Sequence, residues 1–249
     1  MSTPNVLVLR APGTNCDAET ALAFQQAGAK TEALHINRLL EKPSLFQNFQ
    51  ILCIPGGFSY GDDLGAGRIL GNQIQHHLSD ALERFKADGK LMLGICNGFQ
   101  VLMKSPVLLE PDAERGPAAT LATNDCGRYH DAWVHVEVSG SKCVFLKGIE
   151  RMYLPVAHAE GKFVLRDQQT LEKLGAAGQL ALRYVEGDNP NGSMANVAGV
   201  CDATGRVLGL MPHPERHIDR TQHPRWTRGE AGATGDGLQL FVNAVEYFA

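Results

Sequence analysis

The sequence predicts an α/β domain built on a doubly wound, mostly parallel sheet, with helices on both faces and a small antiparallel extension. Three observations carry this. Short, near-continuous apolar runs recur through the first hundred residues, segments of helical character separate them, and from about residue 107 the texture changes to alternating apolar and polar positions. Strands covered on both faces have no wet side and so no alternation, whereas antiparallel strands with one solvated face do alternate.

The elements follow in order. NVLVLR (5–10), KTEALHI (30–36), ILCIPG (51–56) and LMLGIC (91–96) read as buried parallel strands, and the helical stretches between them give β-α-β-α-β alternation. DAWVHVEVSG (131–140) and RMYLPVAHAEGKFVL (151–165) alternate as antiparallel strands do, with no long helix expected between them. LALRYV (180–185), NVAGVCD (196–202) and RVLGLMPHPE (206–215) add three strands, and DGLQLFVNAVEYF (236–248) closes with an amphipathic helix. TQHPRWTRGEAGATGDG (221–237) is poor in core residues and reads as a long surface loop. No internal repeat is visible, and residues 1–249 are read as a single domain, long enough to bury a substantial core.

Composition narrows the function. A net charge of −4 leaves no electrostatic footprint for nucleic acid or an anionic membrane surface, so small-molecule substrates are expected. The apolar run near the start is too short for a signal segment, and no later run reaches membrane-spanning length, which predicts a cytoplasmic protein. Six cysteines, at 16, 53, 96, 126, 143 and 201, form no CxxC pair and no zinc-ligand spacing, so free thiols and no metal are expected. Cys53 and Cys201, inside apolar strands, are expected to be core thiols.

Cys96 is different. Gly94-Ile95-Cys96-Asn97-Gly98 has the G-x-nucleophile-x-G form at the end of a strand, where open α/β sheets bind their ligands. The glycines are expected to permit a strained strand-to-helix turn, and the helix starting near Asn97 aims N–H groups at the thiol. A buried core thiol is the alternative, and a base elsewhere in the chain is needed to decide. The candidate is Met211-Pro212-His213-Pro214-Glu215, in which the prolines are expected to hold the backbone extended and set His213 and Glu215 on one side, the carboxylate orienting the imidazole. In IPGGFSYGDD, Gly56 and Gly57 allow close backbone approach, and their N–H groups with that of Asn97 could complete an oxyanion hole. No GK[ST] follows, which excludes a P-loop.

Together these pieces resemble the class I glutamine amidotransferases, flavodoxin-like in fold, across nearly the whole chain. APGTNCDAET, PGGFSYGDD, GICNGFQ, HAEGKF and PHPER narrow the resemblance to the glutaminase subunits of phosphoribosylformylglycinamidine synthases. The resemblance implies Cys96 as nucleophile, His213 as general base and acid, Glu215 as its orienter, Gly57 and Asn97 as oxyanion donors, and Gln100 at the glutamine-binding position. It also implies a synthetase partner that uses ATP and Mg²⁺ to make formylglycinamidine ribonucleotide, with a small third subunit in some complexes, and no cofactor in this chain. On spacing alone His158, Glu160 and Lys162 of HAEGKF read as a solvated hairpin, whereas the resemblance implies that they belong to the face that meets the partner.

Two departures stand out. GDDLGAGRIL places Gly65 where related sequences often carry arginine, with Arg68 three residues later, and the 221–237 stretch matches no family motif. Two other readings compete: a DJ-1-type cysteine hydrolase, which lacks this C-terminal His-Glu pair, and a non-catalytic flavodoxin-like binding module, for which no Ser/Thr-rich phosphate loop follows the first strand.

Overall fold

The computed structural model describes residues 3–140 and 142–249. In chain order the elements are β1 (Asn5–Arg10), α1 (Asp17–Gln26), β2 (Lys30–His35), α2 (Ile36–Glu41), β3 (Ile51–Ile54), α3 (Arg68–His77), α4 (Ser79–Ala87), β4 (Leu91–Ile95) and α5 (Asn97–Leu102). There follow β5 (Ala119–Ala122), β6 (His130–Val138), β7 (Arg151–His158), β8 (Lys162–Leu165), α6 (Gln168–Ala176), β9 (Leu182–Tyr184), β10 (Val197–Cys201), β11 (Val207–Leu210) and α7 (Leu238–Glu246).

Nine strands form one sheet in the order β2-β1-β3-β4-β11-β10-β9-β6-β7. The first five are parallel, and β10, β9, β6 and β7 continue the same sheet antiparallel. The antiparallel extension is therefore larger than the sequence suggests. Only β5 and β8 stand apart, as a two-stranded ribbon. β3, β4, β10 and β11 are buried at every position and β6 alternates in part, whereas β2, expected to be buried, is largely exposed because it lies at the edge of the sheet.

The order β2-β1-β3 reverses direction at β1. Right-handed crossovers running opposite ways across a sheet place their helices on opposite faces, so α1 lies on one face and α3 with α4 on the other. On the first face α1 meets α7, where Phe24 and Phe241 pack edge to face with ring centroids 4.9 Å apart. On the second, α3 packs against α5. The reversal opens a crevice beyond the carboxyl ends of β1 and β3, the usual ligand position in open α/β sheets.

Two elements escape the sequence reading. β5 is only four residues long, and α6 falls in the stretch between 165 and 180 that the sequence reading left unassigned, capped by the Asp167 carboxylate accepting from the Thr170 N–H. HAEGKF is not a hairpin either: β7 ends at His158 in the large sheet, and β8 starts at Lys162 in the ribbon. The 221–237 stretch is largely exposed and contains a short 3₁₀ turn at Trp226–Arg228, with Trp226 on its surface. Cys53 and Cys201 are fully buried core thiols, as expected. Among the described residues no helix is long and apolar enough to cross a membrane.

Candidate active site

The site is assembled where four strand ends converge. Cys96 follows β4 with φ 51° and ψ −106°, a conformation that costs a non-glycine residue on the order of 1–3 kcal/mol. The strain sits on the cysteine itself and not on its glycine neighbours. Gly94 and Gly98 are required by contact: a Cβ on Gly98 would lie 1.8 Å from the Ile54 carbonyl oxygen, and one on Gly94 would lie 2.6 Å from the Gly98 oxygen. The missing side chains let the start of α5 press onto the ends of β3 and β4, and this tight packing holds the elbow in its strained form. Gly98→Ala is accordingly expected to destabilise the fold by about 1–3 kcal/mol, read as a lower urea midpoint at unchanged m-value.

His213 lies three residues beyond β11 and is anchored by its N–H donating to the Pro155 carbonyl of β7 at 2.9 Å. Its backbone is not continued as an extended strand. Pro214–Arg216 forms a 3₁₀ turn, for which proline's fixed φ is suited at the first position, and this turn brings Glu215 Oε1 to 2.6 Å from His213 Nδ1. Both side chains are buried, Glu215 completely. Burial disfavours the charged imidazole, yet the Glu215 carboxylate and the neighbouring Cys96 and Cys16 thiols together hold its pKa well above the ordinary histidine value. With Nδ1–H committed to Glu215, Nε2 is the ring nitrogen left to exchange a proton, and it has no protein hydrogen-bond partner among the described residues.

Cys96 is 5% exposed, its thiol 3.7 Å from the Ala157 carbonyl oxygen of β7. Gly56 forms the floor between the partners. A Cβ there would meet His213 Cε1 at 2.8 Å, Cys16 Sγ at 3.0 Å and Cys96 Cβ at 3.5 Å, so the absence of a side chain keeps open the space where these groups face one another. Among the described residues the backbone N–H groups of Gly57 and Asn97 donate to no protein acceptor. They are therefore available as a donor pair beside the nucleophile.

Around this centre runs a buried polar frame. The Asn97 side chain accepts from the Ser59 N–H and donates to Asp62 Oδ1 and Gln100 Oε1, while Gln100 Nε2 donates to the Glu160 carbonyl at 2.6 Å. Gln100 is thus tied to protein groups at both ends of its amide. Burial raises the Asp62 pKa, opposed by bonds from the Gly67 N–H and Asn97. Arg68 opens α3 and donates to the Leu64 carbonyl, and Glu160 Oε2 accepts from the Ala66 N–H. The loop carrying Gly65 is thereby joined to the segment after β7.

The three residues assigned to a partner face have different environments. His158 is 3% exposed and packs against Gly161; its Nδ1 is 3.2 Å from Asn124 Oδ1, and burial, with His213 and His130 nearby, pushes its pKa down to about 4. It is a neutral interior imidazole and not a surface charge. Glu160 and Lys162 are both half-buried, Glu160 against the 65–66 loop and Lys162 ion-paired with Asp125 at 2.5 Å. Sequence reasoning also passed over Cys16, Arg216 and Asn124. The first two lie within quoted motifs, GTNCD and PHPER, but nothing local shows that they meet. Arg216 Nη2 is 3.1 Å from Cys16 Sγ, and its Nε is 2.7 Å from Glu19 Oε1.

Known proteins share this arrangement of elements. The chain is 46% identical to phosphoribosylformylglycinamidine synthase subunit PurQ of Dehalococcoides mccartyi, over 99% of this chain and 98% of the relative, and 40% identical to that of Archaeoglobus fulgidus, over 97% and 96%. A chain in the structure of PurLQS from Thermotoga maritima superposes with TM-score 0.78 at 27% identity, each chain covered in full. A second Thermotoga maritima protein, a glutamine amidotransferase, shares the fold with TM-score 0.54 at 17% identity, over 92% of this chain and 83% of that one. The model of the CobB/CobQ-like glutamine amidotransferase domain matches residues 3–248, a span that takes in the cysteine elbow and the His-Glu turn alike, and the chain belongs to that family.

Proposed function

We propose that this chain is the glutaminase subunit of a phosphoribosylformylglycinamidine synthase, acting in the cytoplasm. It hydrolyses L-glutamine and delivers ammonia to a synthetase subunit, which uses ATP and Mg²⁺ to convert formylglycinamide ribonucleotide to the amidine; a small third subunit completes the assembly. The observation that carries this reading is the strained Cys96 elbow set against the buried His213–Glu215 pair, in a chain matched end to end by PurQ subunits. The Thermotoga maritima PurLQS structure supports a multi-subunit assembly. Hydrolysis of the carboxamide needs only side chains and backbone N–H groups of this chain, with no cofactor.

His213 Nε2 takes the proton of Cys96, and the thiolate attacks the carboxamide carbon of glutamine. Charge develops on the carboxamide oxygen, towards which the Gly57 and Asn97 N–H groups can donate without competing protein acceptors. His213 returns its proton to the nitrogen, the carbon–nitrogen bond breaks, and ammonia leaves a glutamyl thioester on Cys96. Water, deprotonated by His213, then attacks the thioester and releases glutamate and the free thiol. Glu215 keeps Nδ1 protonated and the ring oriented throughout, stabilising the imidazolium between steps. Gln100 braces Asn97 and Glu160 at the edge of the site, and through that frame fixes where the glutamine sits.

A glutamine analogue with an electrophilic carbon tests the reading. One covalent adduct on Cys96, suppressed by excess glutamine, is the expected mass-spectrometric result. An adduct on another cysteine, or none in the assembled complex, would exclude it in favour of a cysteine hydrolase or binding module.

A further inference from the structure

The glutaminase chemistry leaves one buried thiol beside the catalytic imidazole without a task. Cys16 immediately precedes α1, in the loop after β1, and is 1% exposed. The ligand atoms of Cys16, His213 and Glu215 all lie within 4.8 Å of one another. The Gly56 floor places the Cys16 sulfur and the His213 ring against the same small space, with Cys96 on its far side. A second, independent feature points to a ligand: among the described residues buried His213 Nε2 has no hydrogen-bond partner, while Nδ1 is held by Glu215. A carboxylate that fixes one imidazole nitrogen and turns the other outward is the support found behind metal-ligating histidines.

We propose that Cys16 Sγ and His213 Nε2 form a binding site for a thiophilic divalent cation, Zn²⁺, and that its occupancy switches the glutaminase off reversibly. Water fills the remaining positions of the tetrahedron, with Glu215 as the support behind His213. On binding, the Cys16 thiol loses its proton to solvent and becomes a zinc thiolate, and His213 Nε2 likewise gives up to solvent any proton it carries, so that the nitrogen that would deprotonate Cys96 is engaged by the metal. Sulfur and nitrogen ligands of tetrahedral zinc stand roughly 3.5 Å apart, so Cys16 and His213, within 4.8 Å of each other, need to close by at most about 1.3 Å, within the reach of side-chain rotation. Arg216, 3.1 Å from the Cys16 sulfur, opposes a second cation, but its charge is already paired with Glu19, and a zinc-bound thiolate still accepts its hydrogen bond. The switching half of the proposal rests on the glutaminase reading, whereas the binding half does not.

Cobalt(II) is the spectroscopic probe and zinc the functional one. In the full chain, and in Cys96→Ser, one equivalent of Co²⁺ is expected to give near-ultraviolet sulfur-to-cobalt charge-transfer absorption, lost in Cys16→Ser. Zinc affinity, measured by chelator competition, is expected to fall at least about tenfold in Cys16→Ser and in His213→Ala. Zinc should block labelling of Cys96 by the electrophilic glutamine analogue in the unsubstituted chain, and Cys16→Ser should need at least about tenfold more zinc for the same block. Circular dichroism establishes that each variant is folded. No cobalt–sulfur absorption in the unsubstituted chain, its persistence in folded Cys16→Ser, or equal zinc sensitivity of labelling in the two proteins would overturn the site. If Cys96 is not labelled even without metal, the glutaminase reading fails, and the cobalt spectra still decide the metal site.

Discussion

In Cys96→Ser, glutamine-dependent synthesis by the assembled complex is expected to fall by about 10⁴-fold or more, while synthesis supplied with free ammonia continues near the unsubstituted rate. Losses of this size accompany removal of a nucleophile that works as a unit with its base. A serine hydroxyl at the same elbow is a far weaker nucleophile than a thiol at neutral pH. The ammonia arm follows from the division of labour: this thiol serves only to release ammonia from glutamine, so exogenous ammonia bypasses it. Parallel steady-state assays with glutamine and with an ammonium salt read both arms. Loss of both in a complex that still assembles would mean that Cys96 does more than make ammonia.

His213→Ala is expected to slow thioester formation about 10- to 100-fold more than Glu215→Gln, measured by rapid-quench trapping of the glutamyl enzyme. Alanine removes the imidazole that takes and returns the Cys96 proton. Glutamine at 215 keeps a carbonyl oxygen that can accept from Nδ1–H across the 2.6 Å contact, so the ring keeps its orientation and loses mainly the charge that raises its basicity. Equal losses would assign Glu215 a part in proton transfer beyond orientation.

The legible part of the site is the part carried by short stretches. The runs at 5–10, 30–36, 51–56 and 91–96 coincide with β1 to β4 within two residues at each end; for β1, β3 and β4 this is because a strand buried on both faces leaves an uninterrupted apolar run, whereas β2 is a largely exposed edge strand. GICNG shows a displayed cysteine, and PHPE shows an imidazole with its carboxylate. In both, however, the backbone reaches the result by a different route from the one the residue types suggest. The positive φ falls on Cys96, with Gly94 and Gly98 serving close contact, and a 3₁₀ turn replaces the extended stretch at His213. α6 had a readable start in Asp167 and Thr170, whereas the four residues of β5 carry too little pattern to be told from a loop.

By itself, then, the sequence determined the identity of the strands, the nucleophile elbow and the His-Glu pair, since each is written within a few neighbouring residues and follows from side-chain periodicity or steric restriction. Only the tertiary structure decided which distant segments meet. The reversal of strand order at β1 brings the loops after β1 and β3 to the elbow after β4, and the parallel pairing of β11 with β4 delivers His213 to the same point. That convergence places Cys16 against the imidazole, although no cysteine spacing announced a ligand pair. It also moved His158 from an expected surface to the interior, because β7 and β8 belong to different sheets and the alternation that seemed to continue between them is broken. Periodicity specifies which side of its own element a residue faces; what it faces depends on strand order and packing, which are fixed by the burial of the whole sheet.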